Sequence, residues 1–265
     1  MFNKIHVKVI IASLLWLINS AVLAEEIAPI DCMIEPNVMV ELSSSVTGVL
    51  GTLSVDKSDE VKKGQVIGTL KSDIEQVNVK TSAQRLKLSR KEYGRAVELY
   101  HANAITQSEK EQSDNDNKLA ELELSYAKTN LALRQIKSPI DGVVVRRYFT
   151  PGEFVANKPI IRLAQLNPLK IEVVSSVENY GKIVKGMHAK IFPEFGEYNE
   201  LVAEVVVVDK VIDAASGTFG VRLELDNKDY AIPGGLKCKV QFMLDTSSAD
   251  SANPAATTVA ATKPE

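Results

Sequence analysis

The spacing of apolar residues changes character twice along the chain, and one short β pattern stands on both sides of the change. The first copy reads Ser44-Ser45-Val46-Thr47-Gly48-Val49-Leu50 and continues to Lys63-Gly64-Gln65-Val66-Ile67. The second reads Ser138-Pro139-Ile140-Asp141-Gly142-Val143-Val144 and continues to Pro151-Gly152-Glu153-Phe154-Val155. Each copy predicts an apolar strand, a glycine turn and a second strand opened by glycine and a polar residue. Neither half can bury its apolar face alone, so the two are expected to pack together, as repeats do.

Between the copies the period becomes helical. From about Asp73, the residues Val79, Leu86, Tyr93 and Tyr100 recur every seven positions, with Ala83 and Val97 on the adjoining line. On the return limb Leu119, Tyr126 and Leu133 repeat at the same interval, accompanied by Leu122, Thr129 and Ile136. That pattern predicts two antiparallel helices meeting along a seam, with the turn near residues 101–107. Limbs of about 30 residues would extend ~45 Å. Residues 113–117, Ser-Asp-Asn-Asp-Asn, compete with their own backbone for hydrogen bonds and predict a frayed or locally mobile stretch. The stretch lacks the Gly and terminal Glu of a calcium loop.

Asn167-Pro168 marks the exit from the second β half. Beyond it, residues 169–174, 189–192, 201–209, 221–225 and 238–244 read as strands, with one brief helical stretch near 178–184. Five or six short strands with Gly, Asn and Pro turns suggest a small barrel. Cys32-Met33-Ile34 reads as one further strand ahead of the first half.

The two ends have other characters. Lys4, His6 and Lys8 precede an apolar run over 9–18, and Val22-Leu23-Ala24 follows, which is the layout of a secretory signal cleaved after Ala24. The run is shorter than the ~20 apolar residues of a spanning helix. Residues 247–265 are rich in Ala, Thr and Ser, hold almost no large apolar residue, and are expected to be disordered. Cleavage would remove two lysines and no acid, taking the net charge from −3 to −5. A mildly acidic chain of mixed signs has no electrostatic footprint for nucleic acid, nor the polybasic cluster that anionic lipid attracts.

Little in the sequence points to catalysis. His101 and His188 are the histidines beyond the signal, and neither stands at a metal-binding spacing. No nucleophile elbow, phosphate-binding glycine loop or HExxH occurs. Cys32 and Cys238 are the only cysteines. In an exported chain an even count points to a disulfide, the alternative being two separate buried thiols. Two cysteines without a nearby histidine cannot complete a zinc shell.

The order of these patterns resembles the periplasmic adaptor family, also called membrane fusion proteins, of multidrug-efflux and type I secretion systems. The resemblance rests on Asp59-Glu60-Val61-Lys62-Lys63-Gly64-Gln65-Val66-Ile67, on Ile136-Lys137-Ser138-Pro139-Ile140-Asp141-Gly142-Val143-Val144, and on Gly217-Thr218-Phe219-Gly220-Val221-Arg222 followed by Asp226-Asn227. It covers roughly residues 40–244 and implies a mainly β fold with an α-helical hairpin: a split lipoyl-like (barrel-sandwich hybrid) domain, an antiparallel coiled-coil hairpin and a small β-barrel. The organisation it implies is a signal peptide over 1–24 and a lead-in strand over 25–37 pairing with the barrel. The lipoyl-like halves would span 38–72 and 138–166, the hairpin 73–137, the barrel 167–245, and a disordered tail 246–265.

The family's function implies a non-enzymatic, cofactor-free periplasmic protein, peripheral to the inner membrane. It would link an inner-membrane transporter, proton-driven or ATP-driven, to a TolC-type outer-membrane channel, as a homo-oligomer, a hexamer by resemblance. Arg95, Leu99 and Thr106 stand at a spacing similar to the family's channel-docking tip motif, with Thr in place of the usual Ser. Arg95 would donate forked hydrogen bonds, Leu99 an apolar contact, and Thr106 would cap the second helix. In the family the lead-in runs beside the barrel, which would make Cys32 and Cys238 neighbours able to bond. The larger efflux adaptors have a fourth, membrane-proximal β domain where this sequence is read as tail. Lipoyl and biotinyl carriers share the repeated-half fold, but a carrier needs a modifiable Lys at the turn joining the halves, where this chain has its hairpin.

Overall fold

The computed structural model describes residues 27–243 except 195 and 197–199. The expected signal peptide and tail lie outside the described residues. The chain divides into two compact units, one built on residues 34–170 with 226–235, the other on 171–225 with the segments reaching Met33 and starting at Leu236.

The first unit is the β module with its hairpin. Strands β1 (Ile30–Ser43), β2 (Gly48–Leu53), β3 (Glu60–Val61) and β4 (Val66–Leu70) precede two helices, α1 (Asp73–His101) and α2 (Gln107–Ala132). Strands β5 (Gln135–Lys137), β6 (Gly142–Arg147), β7 (Phe154–Val155) and the long β8 (Pro159–Ser176) follow. One sheet runs β5-β4-β2-β7, while β3 pairs with β6 and β6 with β8. Strands of the first repeat therefore pair with strands of the second in both layers. Leu50, Ile67, Leu70, Ile136, Val144, Val155 and Ile161 fill the core between them. This interleaving is why neither half is a folding unit: each lacks both its hydrogen-bonding neighbours and half of its core.

The repeat extends to individual hydrogen bonds. Ser44 Oγ donates to the Val46 carbonyl and Ser138 Oγ to the Ile140 carbonyl, at 2.7 and 2.6 Å. The Lys62 N–H donates to Gln65 Oε1 at 2.8 Å, and the Thr150 N–H donates to Glu153 Oε2 at 2.6 Å. These two turns contain Gly64 at φ 82° and Gly152 at φ 98°, the left-handed conformation that glycine adopts without cost.

In the second unit the described sheet order is β1-β12-β9-β10-β11-β8, and β1 also pairs with β8, so the sheet closes on itself. Here β9 is His188–Pro193, β10 Leu201–Val208, β11 Thr218–Leu225 and β12 Leu236–Phe242. Inward Ala189, Ile191, Val205, Leu223 and Val240 are fully buried. Closure removes the exposed strand edges that would otherwise template aggregation. The helical stretch expected over 178–184 shrinks to a single 3₁₀ turn, Val177–Asn179, after which Gly181 adopts a positive φ.

Candidate interaction surface on the helical hairpin

The hairpin rises between β4 and β5, and its base is fastened by charge. Arg134 Nη2 donates to Glu75 Oε1 at 2.6 Å, while Nη1 donates to the Thr47 carbonyl at 2.9 Å. Along the limbs Arg85 pairs with Glu123 and Arg90 with Glu121.

The outgoing limb packs as its period predicts, with Leu86 buried and Val79, Tyr93 and Tyr100 half-buried. Ala83, expected beside them, is exposed; Ser82 and Ser89 take the seam instead. The return limb differs more. Leu119, Leu122 and Tyr126 are 54, 67 and 70 % exposed, and Leu133 is exposed as well. Its seam is Asn117, Ala120, Leu124, Ala127 and Leu131. Small side chains on facing lines let two helices approach closely, so Ser82, Ser89, Ala120 and Ala127 win the seam over bulkier residues. Tyr126, Thr129 and Leu133 are therefore not seam residues, and Ile136 is buried in the β module on β5. A reading weighted by side-chain size misses this; the alanines at 120 and 127, seven apart, are the signal that could have found it.

Residues 113–117 are helical throughout, which corrects the frayed stretch expected there. Their polar side chains bond along the helix rather than to their own backbone: Lys118 Nζ to Asp114 Oδ2 at 2.6 Å and Gln112 Nε2 to Asp116 Oδ1 at 3.0 Å.

At the far end α1 stops at His101 and Asn103 takes a positive φ of 56°. Thr106 is the N-cap of α2: its hydroxyl accepts from the Glu109 N–H, and the Glu109 carboxylate accepts from the Thr106 N–H at 2.7 Å and hydroxyl at 2.8 Å. Those bonds hold the Glu109 carboxyl below its usual range. Lys110 Nζ sits 5.1 Å above the Tyr100 ring, tying the two limbs at the turn. Arg95 is exposed and Leu99 is 40 % exposed, one helical turn apart on α1. Arg95 makes no ion pair among the described residues.

Cys32 and Cys238 are joined by a disulfide in the barrel unit, Cα to Cα 4.8 Å. His101 ends α1 and His188 opens β9, both exposed. Among the described residues no group of three or more His, Cys, Asp or Glu could hold a metal ion, and no helix is long and apolar enough to cross a membrane.

Residues 38–165, the interleaved halves and the hairpin between them, match the family model of the CzcB-like barrel-sandwich hybrid domain. Those residues form a CzcB-like barrel-sandwich hybrid domain, and the chain as a whole is similar to periplasmic adaptors, or membrane fusion proteins. It is similar to an uncharacterized protein of Haemophilus influenzae, 22 % identical over 218 residues, covering 82 % of this chain and 57 % of that protein. It is also similar to the cobalt-zinc-cadmium resistance protein CzcB of Cupriavidus metallidurans, 24 % identical over 207 residues, covering 72 % of this chain and 40 % of CzcB. The chain thus spans about half the length of these relatives. In fold it is similar to a MacA–MexA chimeric protein containing the Pseudomonas aeruginosa MexA α-hairpin domain, with a TM-score of 0.70 and 18 % identity, covering 82 % of this chain and 78 % of that one.

Proposed function

We propose that this adaptor is a non-catalytic periplasmic subunit of a tripartite export system, linking an inner-membrane transporter to a TolC-type outer-membrane channel. The observation that carries the reading is the hairpin itself, 29- and 26-residue helices projecting from between the halves of a small β module. An insertion of that length contributes nothing to the core between the sheets, so its use lies in what it reaches. The exposed Arg95 and Leu99 near its turn supply a charged and an apolar contact for the channel, and Thr106 fixes the turn that presents them. The energy for export comes from the transporter, a proton-driven pump or an ATP-driven exporter. The adaptor works as a ring of copies, six by family resemblance, and its N-terminal segment directs it to the periplasm.

Leu99→Asp and Arg95→Ala test this reading. Both residues are exposed, so each variant should fold with unchanged helix content yet lose cross-linking to the channel and export activity. Losing a charge-assisted contact at an interface costs about 2 kcal/mol or more. Wild-type export by Leu99→Asp would sink the tip assignment. Periplasmic fractionation with N-terminal sequencing tests the location, with Glu25 as the expected first residue.

A further inference from the structure

Several polar side chains of the hairpin bond to one another, as Arg90 does with Glu121 and Lys118 with Asp114. One group stands apart. Asn78, Thr81 and Ser82 on α1, and Tyr126 and Asn130 on α2, make no side-chain hydrogen bond among the described residues. All five line a single groove of about 470 Å³ at the hairpin base. Helical spacing gathers them: 78 and 82 are four residues apart, as are 126 and 130, so each pair shares a helix face. Val46, Ala127 and Leu133 add apolar surface to the lining.

The charges of the groove cancel. Glu75 is held by Arg134 at 2.6 Å and Glu123 by Arg85 at 3.2 Å, so no unpaired charge is left to select a cation or an anion. What remains is two carboxamides, two hydroxyls and a phenol, groups that both donate and accept. They surround the Tyr126 ring, which is 70 % exposed. A ligand suited to this lining is uncharged, dense in hydrogen-bonding groups, and has a C–H face to lie on a ring. Those are the properties of a pyranose. An acetamido substituent adds a group that matches a carboxamide twice, its N–H donating to an Asn oxygen and its carbonyl accepting from an Asn nitrogen. Peptides fit less well. An added strand needs free main-chain groups, which helices satisfy internally, and a bound helix needs an apolar stripe. From Glu123 to Asn130 the lining runs roughly 10 Å along α2, the length of two linked pyranose rings.

We propose that the groove at the hairpin base binds glycan carrying N-acetylated hexosamine units, held by Asn78, Ser82 and Asn130 and stacked on Tyr126. The chemistry is the same for a cell-wall strand and for a free oligosaccharide. The site does not use Arg95, Leu99 or Thr106, so it stands or falls apart from the channel-docking reading.

Titration of the purified full chain with chitotriose, the trimer of N-acetylglucosamine, tests it by saturation-transfer NMR. The acetamido methyl protons should receive the strongest saturation, since they lie nearest Tyr126. Tyr126→Ala, and separately Asn78→Ala/Asn130→Ala, should weaken binding about tenfold or more, with helix content unchanged by circular dichroism. Tyr126→Phe keeps the ring and should stay within about threefold of wild type. Lys128→Ala, on the same helix outside the groove, should bind as wild type does. No saturation transfer, or binding that Tyr126→Ala leaves unchanged, would overturn the proposal. Maltotriose lacks the acetamido group and should bind about tenfold more weakly; equal binding would overturn the hexosamine assignment. Self-association that Tyr126→Ala abolishes, with no sugar bound, would give the groove to a second copy and also overturn it. Co-sedimentation with purified cell-wall sacculi, competed by chitotriose, would support the site with the wall as its source. Chitotriose binding without such co-sedimentation would support it with a free oligosaccharide.

Discussion

Cys32 and Cys238 sit on the neighbouring strands β1 and β12 with their Cα atoms 4.8 Å apart, and the next pair along, Asp31 and Lys239, closes an ion pair of 2.7 Å. The bond joins positions 206 residues apart, so it ties the first described strand to the last. A closed loop of that size corresponds to about 5 kcal/mol in the chain-entropy picture, and removing native disulfides costs roughly 2–5 kcal/mol in practice. Cys32→Ser/Cys238→Ser should therefore lower the unfolding free energy by an amount in that range, seen as a lower denaturant midpoint in chemical unfolding of oxidised and variant protein. An unchanged midpoint would show that the barrel closes without the bond.

At Gly142 the backbone of β6 runs tight against that of β8. A Cβ there would collide with the Ala164 carbonyl group, which is backbone and cannot swing aside. Gly142→Ala should break the β6–β8 ladder and expose the core, giving a poorly folded chain or a loss of several kcal/mol, as overpacking against backbone does. Gly94→Ala, with open space around its Cβ position, should be neutral or slightly stabilising, since alanine favours helix by about 1 kcal/mol. Thermal melts of the two variants make the comparison.

Asn227 is buried and saturated. Its Nδ2 donates to the Leu166 and Ile232 carbonyls, its Oδ1 accepts from the Ile232 N–H, and its own N–H donates to Asn167 Oδ1. Asn227→Ala leaves buried backbone groups without partners, each worth about 1–3 kcal/mol. Hydrogen exchange should show Ile232 and the 226–235 segment losing protection first.

The turn of the hairpin should be acid-sensitive. Bonds from Thr106 lower the Glu109 pKa, so the capping box contributes stability that is complete above the ordinary carboxylate pKa. That contribution is lost as pH falls through the depressed value. Amide exchange in the first turn of α2 should rise in that acidic window. Thr106→Ala should remove the effect at all pH values and cost about 1 kcal/mol of helix stability. A pH-independent first turn in the wild type would rule out this role for Glu109.

Much of this protein was written locally. The two β halves announce themselves through Ser, Gly and apolar residues at matched offsets, because a serine turn and a left-handed glycine depend on residues only a few positions apart. The outgoing helix was equally legible from Val79, Leu86, Tyr93 and Tyr100, since a seven-residue period is a property of one helix. What only the tertiary structure decided was which residues meet. Leu119 and Tyr126 follow the same period as Ala120 and Ala127, one position apart, and nothing within α2 chooses between the two lines. The choice belongs to α1, whose Ser82 and Ser89 leave room for small partners and turn the larger side chains outward. The same holds for the interleaving of the halves and for the neighbourhood of Cys32 and Cys238: pairing across two hundred residues is settled by the core that both strands bury, not by either segment alone.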